Sequence, residues 1–325
     1  MVITTNVRNR RDQKHLSIHL DSLRVDSVLD FNLYLNVAGN LVLYRSADLP
    51  FTERTRQKLL DNKVDRLYIT GDSRSTYQHY IEQNLSSILA DPAIPETNKA
   101  GILYDTSTSL VKDVLANPTF GENIRRSQEM VANTVGYILK GREAFLNLLT
   151  LTSFDYYTYT HSVNVCTFAI SLARQLGHDD EQFLNELGVG ALLHDVGKSK
   201  ISERILNKRT SLTPLEFEIM KKHPKWGVEI LTATDRIAAT SYYPILQHHE
   251  RGDQRGYPSG LSLDDMHIYS QIVAIADSFD AMTTSRVYQK AMDTFPALKI
   301  MFSLKNAYNQ QMLKTFAELM GPTDM

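Results

Sequence analysis

The stretch Asp91, Pro92, Ala93, Ile94, Pro95 constrains the chain more than any other, because two closely spaced prolines stop a helix from running through it. The apolar residues change period across this break. Before it, Leu33 to Val37 and Leu41 to Tyr44 are rich in strand formers, and Ala38, Gly39 and Asn40 supply a hairpin turn between them. Thr52 can cap a helix running to about Asn62, with Glu53 in its first turn, and Asp65 to Thr70 reads as a further strand before a helix over Ser73 to Leu89. After the break the spacing is helical almost throughout. Ile102, Leu110, Val111, Val114 and Leu115 make one stripe, and Met130, Val131, Val135, Ile138 and Leu139 make the next. The expected fold is therefore mainly α. Residues 1–92 are expected to form a small α+β regulatory or interaction domain, 93–130 a helical connector, and 131–325 an all-α domain.

Charge does not name a partner. The chain has 325 residues with 35 Lys+Arg against 37 Asp+Glu, a formal net charge of -2, and this excludes the basic surplus of a DNA binder or a polybasic membrane binder. No apolar run is long enough for a membrane span, and Arg8, Arg10, Arg11 and Lys14 precede no apolar core of a secretory signal, so a cytoplasmic location is expected. Cys166 is the single cysteine, which removes internal disulfides and multi-cysteine zinc sites.

The histidines carry the chemistry. His194 and Asp195 close the apolar run Leu187 to Leu193, and Asp277 lies within Ile272 to Ala276. A carboxylate in such surroundings costs several kcal/mol unless it is paired or bound to metal. His223 follows a helix started by Thr213, Pro214 and Glu216, and Pro224 places it at a helix junction. His248 and His249 end the helical stretch Tyr242 to Gln247. Any one histidine alone is ordinarily a satisfied core or surface residue, and His15, His19, His79, His178 and His267 are read that way. Together, imidazoles and carboxylates suit first-row divalent metals, and five histidines with two aspartates exceed what one tetrahedral site can use. The count fits two metals sharing Asp195.

From these residues the sequence resembles the HD-GYP family of the HD phosphohydrolase superfamily, over about 155–290. The segments are DYYTYTHSVNV (155–165), HDVGK (194–198), KKHPKWG (221–227), HHERGDQRGYPSGL (248–261) and IADSFDAMTTSRVY (275–288). The resemblance implies a phosphodiesterase that hydrolyses cyclic di-GMP at a two- or three-metal centre of iron or manganese type; with two ions holding a hydroxide between them, linear pGpG is the expected product, with slower cleavage to GMP. It implies His161, His194 and Asp277 as ligands of one ion, His223, His248 and His249 as ligands of the other, and Asp195 as the bridge. Lys198 resembles the lysine that reaches the scissile phosphate, Arg286 a phosphate-binding arginine, and Gly256, Tyr257 and Pro258 the signature loop, with Tyr257 beside the substrate.

Departures from the family pattern qualify this reading. Tyr157 stands where three-metal members carry a glutamate, so a binuclear site is expected. Gly252 replaces an aromatic and Gln254 a glycine, which predicts a looser loop, and Gln289 with Lys290 stands where the family often has a lysine. Protonation of the imidazoles predicts loss of activity below about pH 6. Two alternatives stay open: a metal-containing effector that binds a cyclic dinucleotide or a protein without useful turnover, and a hydrolase of another cyclic dinucleotide. The connecting helices leave room for a homodimer, and the N-terminal domain or the GYP loop for protein partners.

Overall fold

The computed structural model describes residues 15–152, 158–208, 210–285 and 291–321. The chain divides into two compact units, the first reaching Thr106 and the second starting at Ser107.

The first unit is built on strands β1 (His15–His19), β2 (Ser27–Val28), β3 (Leu33–Val37), β4 (Asn40–Arg45), β5 (Pro50–Phe51) and β6 (Arg66–Thr70). The main sheet runs β1-β6-β3-β4, all antiparallel, and β2 pairs with β5 in a separate ribbon. The β3–β4 turn is one residue tighter than the sequence suggests. Asn40 already pairs with Val37, and the two turn residues Ala38 and Gly39 have φ of 50° and 84°, the left-handed pair that matches the twist of a hairpin. Helix α1 (Glu53–Asp61) starts at Thr52, whose side chain accepts from the Thr55 N–H. Helix α2 (Arg74–Ala90) follows. Ile18, Phe31, Leu33, Phe51, Leu67 and Ile69 form the core, with Phe31 edge-on to Tyr77 and Tyr80 at 5.6 Å.

Beyond the proline-bearing turn come α3 (Glu96–Ala116), α4 (Gly121–Ile138) and α5 (Arg142–Leu149). Next are α6 (Thr158–Gln175), α7 (Glu181–Leu193), α8 (Glu203–Leu206), α9 (Pro214–Met220) and α10 (His223–Thr232). The chain closes with α11 (Tyr242–Gln247), α12 (Ile268–Thr283), α13 (Thr294–Ser303) and α14 (Gln310–Met320). Helix α6 is buried all round from His161 to Ala173, as expected of a central helix rather than an amphipathic one. It packs against α7, α12 and α14. Phe168, Phe279 and Phe316 clasp these helices edge-on, with centroids 5.0 to 6.1 Å apart. The central bundle sets the first turn of α6, the end of α7 and the middle of α12 close together. Among the described residues no helix is long and apolar enough to cross a membrane.

Candidate metal centre

Each candidate side chain sits where a helix starts or stops, except Asp277 within α12. His161 lies in the first turn of α6, His194 follows the last residue of α7, and Asp195 opens the 3-10 turn Val196–Lys200. The turn closes tightly because Gly197 lies against the backbone of His223, where an added Cβ would fall 2.0 Å from the carbonyl oxygen. His223 is the first residue of α10, at the helix junction that Pro224 predicts. The capping box of Thr213 and Glu216 is present at the start of α9. His248 and His249 follow the end of α11.

The seven residues converge. His161 Nε2 is 3.3 Å from His194 Nε2 and 3.0 Å from Asp277 Oδ1. His223 Nε2 is 3.1 Å from His248 Nε2, and His249 Nδ1 is 3.5 Å from Asp277 Oδ2. Asp195 lies between the two sets. Its Oδ2 faces His194 at 3.4 Å and His161 at 3.8 Å, while its Oδ1 faces His223 at 3.3 Å and His248 at 3.9 Å. Two groups of three donors, His161 with His194 and Asp195, and His223 with His248 and His249, are close enough to hold one ion each. Asp277 touches both.

The hydrogen bonds decide which nitrogens are free to bind. Nδ1 of His194, His223 and His248 lies 2.7, 2.8 and 2.9 Å from the carbonyl oxygens of Ala191, Met220 and Pro244. A carbonyl only accepts, so each Nδ1 carries the proton and each neutral ring presents a lone pair at Nε2. Burial drives the imidazolium of His223 down to about 3, holds His248 well below its ordinary range, and lowers the quarter-exposed His249 to about 4. Burial alone would raise Asp195, but Lys198 and His194 outweigh it and hold the carboxyl well below the usual range. Burial likewise opposes ionisation of Asp277, and the His161 hydrogen bond and the nearby histidines outweigh it. Facing lone pairs on His223 and His248, beside an ionised Asp195 whose buried Oδ1 has no hydrogen-bond partner, repel one another unless a cation lies among them. The donor set fits hard to borderline divalent metal ions.

Two buried carboxylates were not singled out from the sequence. Asp280 Oδ2 lies 2.7 Å from His161 Nδ1, and its other oxygen accepts from Asn164 Nδ2 at 2.7 Å and Thr284 Oγ1 at 3.0 Å. It lies one turn beyond Asp277, so the reasoning that picked out a buried acid at 277 applies equally at 280. Glu250 accepts the N–H groups of Ser259, Gly260 and Leu261 at 2.6, 2.9 and 3.0 Å. Its signal was the acid next to the histidine pair.

The signature loop is also tighter than expected. At Gly252 an added Cβ would lie 2.3 Å from Leu263 Cγ and 2.5 Å from Asn306 O, and its N–H donates to Ala307 O at 3.0 Å. There is no space for the family's aromatic. Gln254 takes φ of 62°, the conformation that the replaced glycine would favour. The metal-side ends of these elements border a cleft of about 730 Å³ that Lys198, Tyr159, Phe217, Tyr257 and Tyr308 also line. Lys198 Nζ lies 2.5 Å from Asp195 Oδ2. Tyr157, Arg286, Gln289 and Lys290 lie outside the described residues.

An all-α unit that gathers five histidines and Asp277 around the Asp195 carboxylate is a histidine–aspartate metal-binding domain. Residues 143–311, just over half of the chain, match the HD domain family, and the chain belongs to that family. The HD-GYP likeness of the five segments stands with it. The chain is 32% identical over 228 residues to a protein of Pseudomonas aeruginosa named cyclic di-GMP phosphodiesterase PA4108, covering 70% of this chain and 55% of that protein. It is 29% identical over 236 residues to the 3'3'-cGAMP-specific phosphodiesterase 3 of Vibrio cholerae, covering 69% and 49%. It thus spans about half the length of these curated relatives. Among solved structures it resembles Bd1817, a HDG"Y"P protein from Bdellovibrio bacteriovorus, with a TM-score of 0.66, 25% identity, and coverage of 94% of this chain and 99% of that one.

Proposed function

We propose that this chain is a phosphodiesterase that opens cyclic di-GMP to linear pGpG. The observation that carries the reading is Asp195, which turns one oxygen to each of two histidine groups and leaves Oδ1 without a hydrogen-bond partner. In this reading His161, His194 and Asp277 hold one divalent ion, His223, His248 and His249 the other, and Asp195 both. Iron or manganese suits these nitrogen and oxygen donors, although other first-row metals do as well. Bound there, such ions supply Lewis acidity to a phosphoryl group and lower the pKa of water toward neutrality.

The chain's own residues do the rest. Neutral imidazoles and an ionised Asp195 keep the donors ready without a proton to displace. Lys198, pinned beside Asp195, offers positive charge to a non-bridging phosphate oxygen as charge develops there. Water adds to phosphorus, the P–O3′ bond breaks, and the departing O3′ gains a proton, so the phosphate stays on the 5′ side of pGpG. Arg286 is carried as a second phosphate contact on the strength of the resemblance. Tyr159, Phe217, Tyr257 and Tyr308 give the cleft aromatic walls for purine bases. A cytoplasmic location agrees with the single buried cysteine. A homodimer and protein partners for the N-terminal unit or the GYP loop belong to the same proposal.

A second reading, a 3'3'-cGAMP hydrolase, is favoured by the Vibrio cholerae relative, because the metal donors address phosphate rather than base. The test is protein purified without oxygen and assayed for metal and for products with cyclic di-GMP and 3'3'-cGAMP side by side. Formation of pGpG from cyclic di-GMP supports the first reading, and preference for 3'3'-cGAMP the second. Protein that holds two ions and binds either dinucleotide without cutting it would sink both and leave an effector.

A further inference from the structure

Four of the five histidines are held by a hydrogen bond at the ring nitrogen facing away from the centre. The partners are Ala191 O for His194, Met220 O for His223, Pro244 O for His248 and Asp280 for His161. His249 has no such anchor among the described residues; its nearest carboxylate, Asp277, stands 3.5 Å away. His249 instead is packed by rings, with His223 edge-on at 5.1 Å and 88°. His248 lies with centroids 4.1 Å apart and planes tilted 47°, and Tyr257 at 4.6 Å and 34°.

Tyr257 is itself fixed from the backbone. Its N–H donates to His249 O at 3.1 Å. The neighbouring Gly256 runs so close to Glu250 that an added Cβ would lie 2.5 Å from Glu250 Cα and 2.4 Å from Arg251 N. The far side of the loop hangs on the buried Glu250 carboxylate, through the N–H groups of Ser259, Gly260 and Leu261. Each of these contacts holds the tyrosine against one particular histidine.

We infer that Tyr257 is a positioning residue for His249, doing by ring-to-ring packing what a hydrogen bond does for the other four histidines, and that Glu250 is the anchor that keeps it there. The glycine of the signature permits the close approach, and the tyrosine steadies the most exposed metal donor. The wall that Tyr257 presents to the cleft is then a by-product of this role. This inference rests on the two-ion reading of the centre.

Metal binding tests it without any substrate. The probe is Mn2+, titrated by calorimetry and followed by electron paramagnetic resonance, where two neighbouring ions give a coupled multiline signal and a lone ion a simple six-line one. Y257F, which keeps the ring, should bind as the wild type does. Y257L, which fills the space without a ring, should weaken the second ion about 10- to 100-fold, as loss of an outer partner of a metal ligand does, and convert the coupled signal to the six-line form. E250Q should move in the same direction, since the amide keeps one acceptor oxygen but turns its NH2 toward backbone N–H groups that the other carboxylate oxygen accepts from. In turnover assays Y257L should lower kcat more than it raises KM. Unaltered Mn2+ affinity and signal in Y257L, with only KM raised, would overturn the inference and make Tyr257 a substrate contact. A wild-type protein that takes up a single ion would overturn the two-ion reading and this inference with it, whereas absence of turnover in a two-ion protein would overturn only the phosphodiesterase reading.

Discussion

Asp280 and His161 meet at 2.7 Å, with the carboxylate on Nδ1 and the ring's Nε2 turned to Asp277 at 3.0 Å. The acid fixes the tautomer, because a proton shared with Asp280 at Nδ1 places the lone pair at Nε2. D280N can present its amide N–H groups to Nδ1 and reverse that tautomer. Metal affinity should fall about 10- to 100-fold in D280N, measured by Mn2+ titration. Denaturant unfolding should also reveal a stability loss of about 1–3 kcal/mol in D280A, because Asn164 and Thr284 lose a buried acceptor. Unchanged metal affinity in both variants would remove Asp280 from the site.

Lys198 differs from the metal donors in that it touches Asp195 but offers no lone pair while charged. K198A should keep the metal content of the wild type, counted by elemental analysis, and lose about 10²- to 10³-fold in kcat, the usual effect of removing one donor that stabilises charge in the transition state. Loss of an ion would show that the lysine matters for the centre's assembly instead.

The burial of the histidines sets a pH dependence with a definite sign. His223 and His249 titrate at about 3 and about 4 in the folded protein, against about 6.5 unfolded. As pH falls below 6.5 the unfolded chain takes up protons that the native rings do not, so the metal-free protein loses stability progressively down to about pH 3. Asp195 and Asp277, also depressed, act in the same direction once pH falls through the ordinary carboxylate range. Thermal unfolding of metal-free protein at pH 7, 6 and 5 should give steadily lower midpoints, and a flat series would contradict it. The activity loss expected below about pH 6 moves lower for the same reason: within the folded site these rings stay neutral there.

Gly252 offers a check on the loop. G252A places a methyl group against Leu263 and the Asn306 carbonyl, and the backbone oxygen cannot step aside cheaply. A loss of about 1–3 kcal/mol is expected from overpacking, read from urea denaturation, and an aromatic at this place should cost more. A neutral G252A would mean that the loop has the slack that the glycine suggests when read from sequence.

Much of this protein was legible from local rules. The proline-bearing break between α2 and α3, the Thr52 and Thr213 caps, the strand pair β3–β4, and the helix ending before His248 all follow from interactions within a few residues of each other. So did the candidate ligands, because an acid or a His-Asp pair in an apolar run advertises itself. Sequence by itself singled out the candidate ligands and the kinds of element that present them.

Only the packing of α6, α7, α10 and α12 decided how those residues meet. It turned one oxygen of Asp195 to each histidine group, brought Asp280 across 119 positions of chain to His161, and closed the space beside Gly252. Departure from an expected aromatic reads as slack along the chain, yet here Leu263 and Asn306 occupy that volume from other elements. The physical reason is range: capping and periodicity act over one or two turns, whereas the orientation of a ligand, the depression of its pKa and the room around a glycine are set by neighbours distant in sequence.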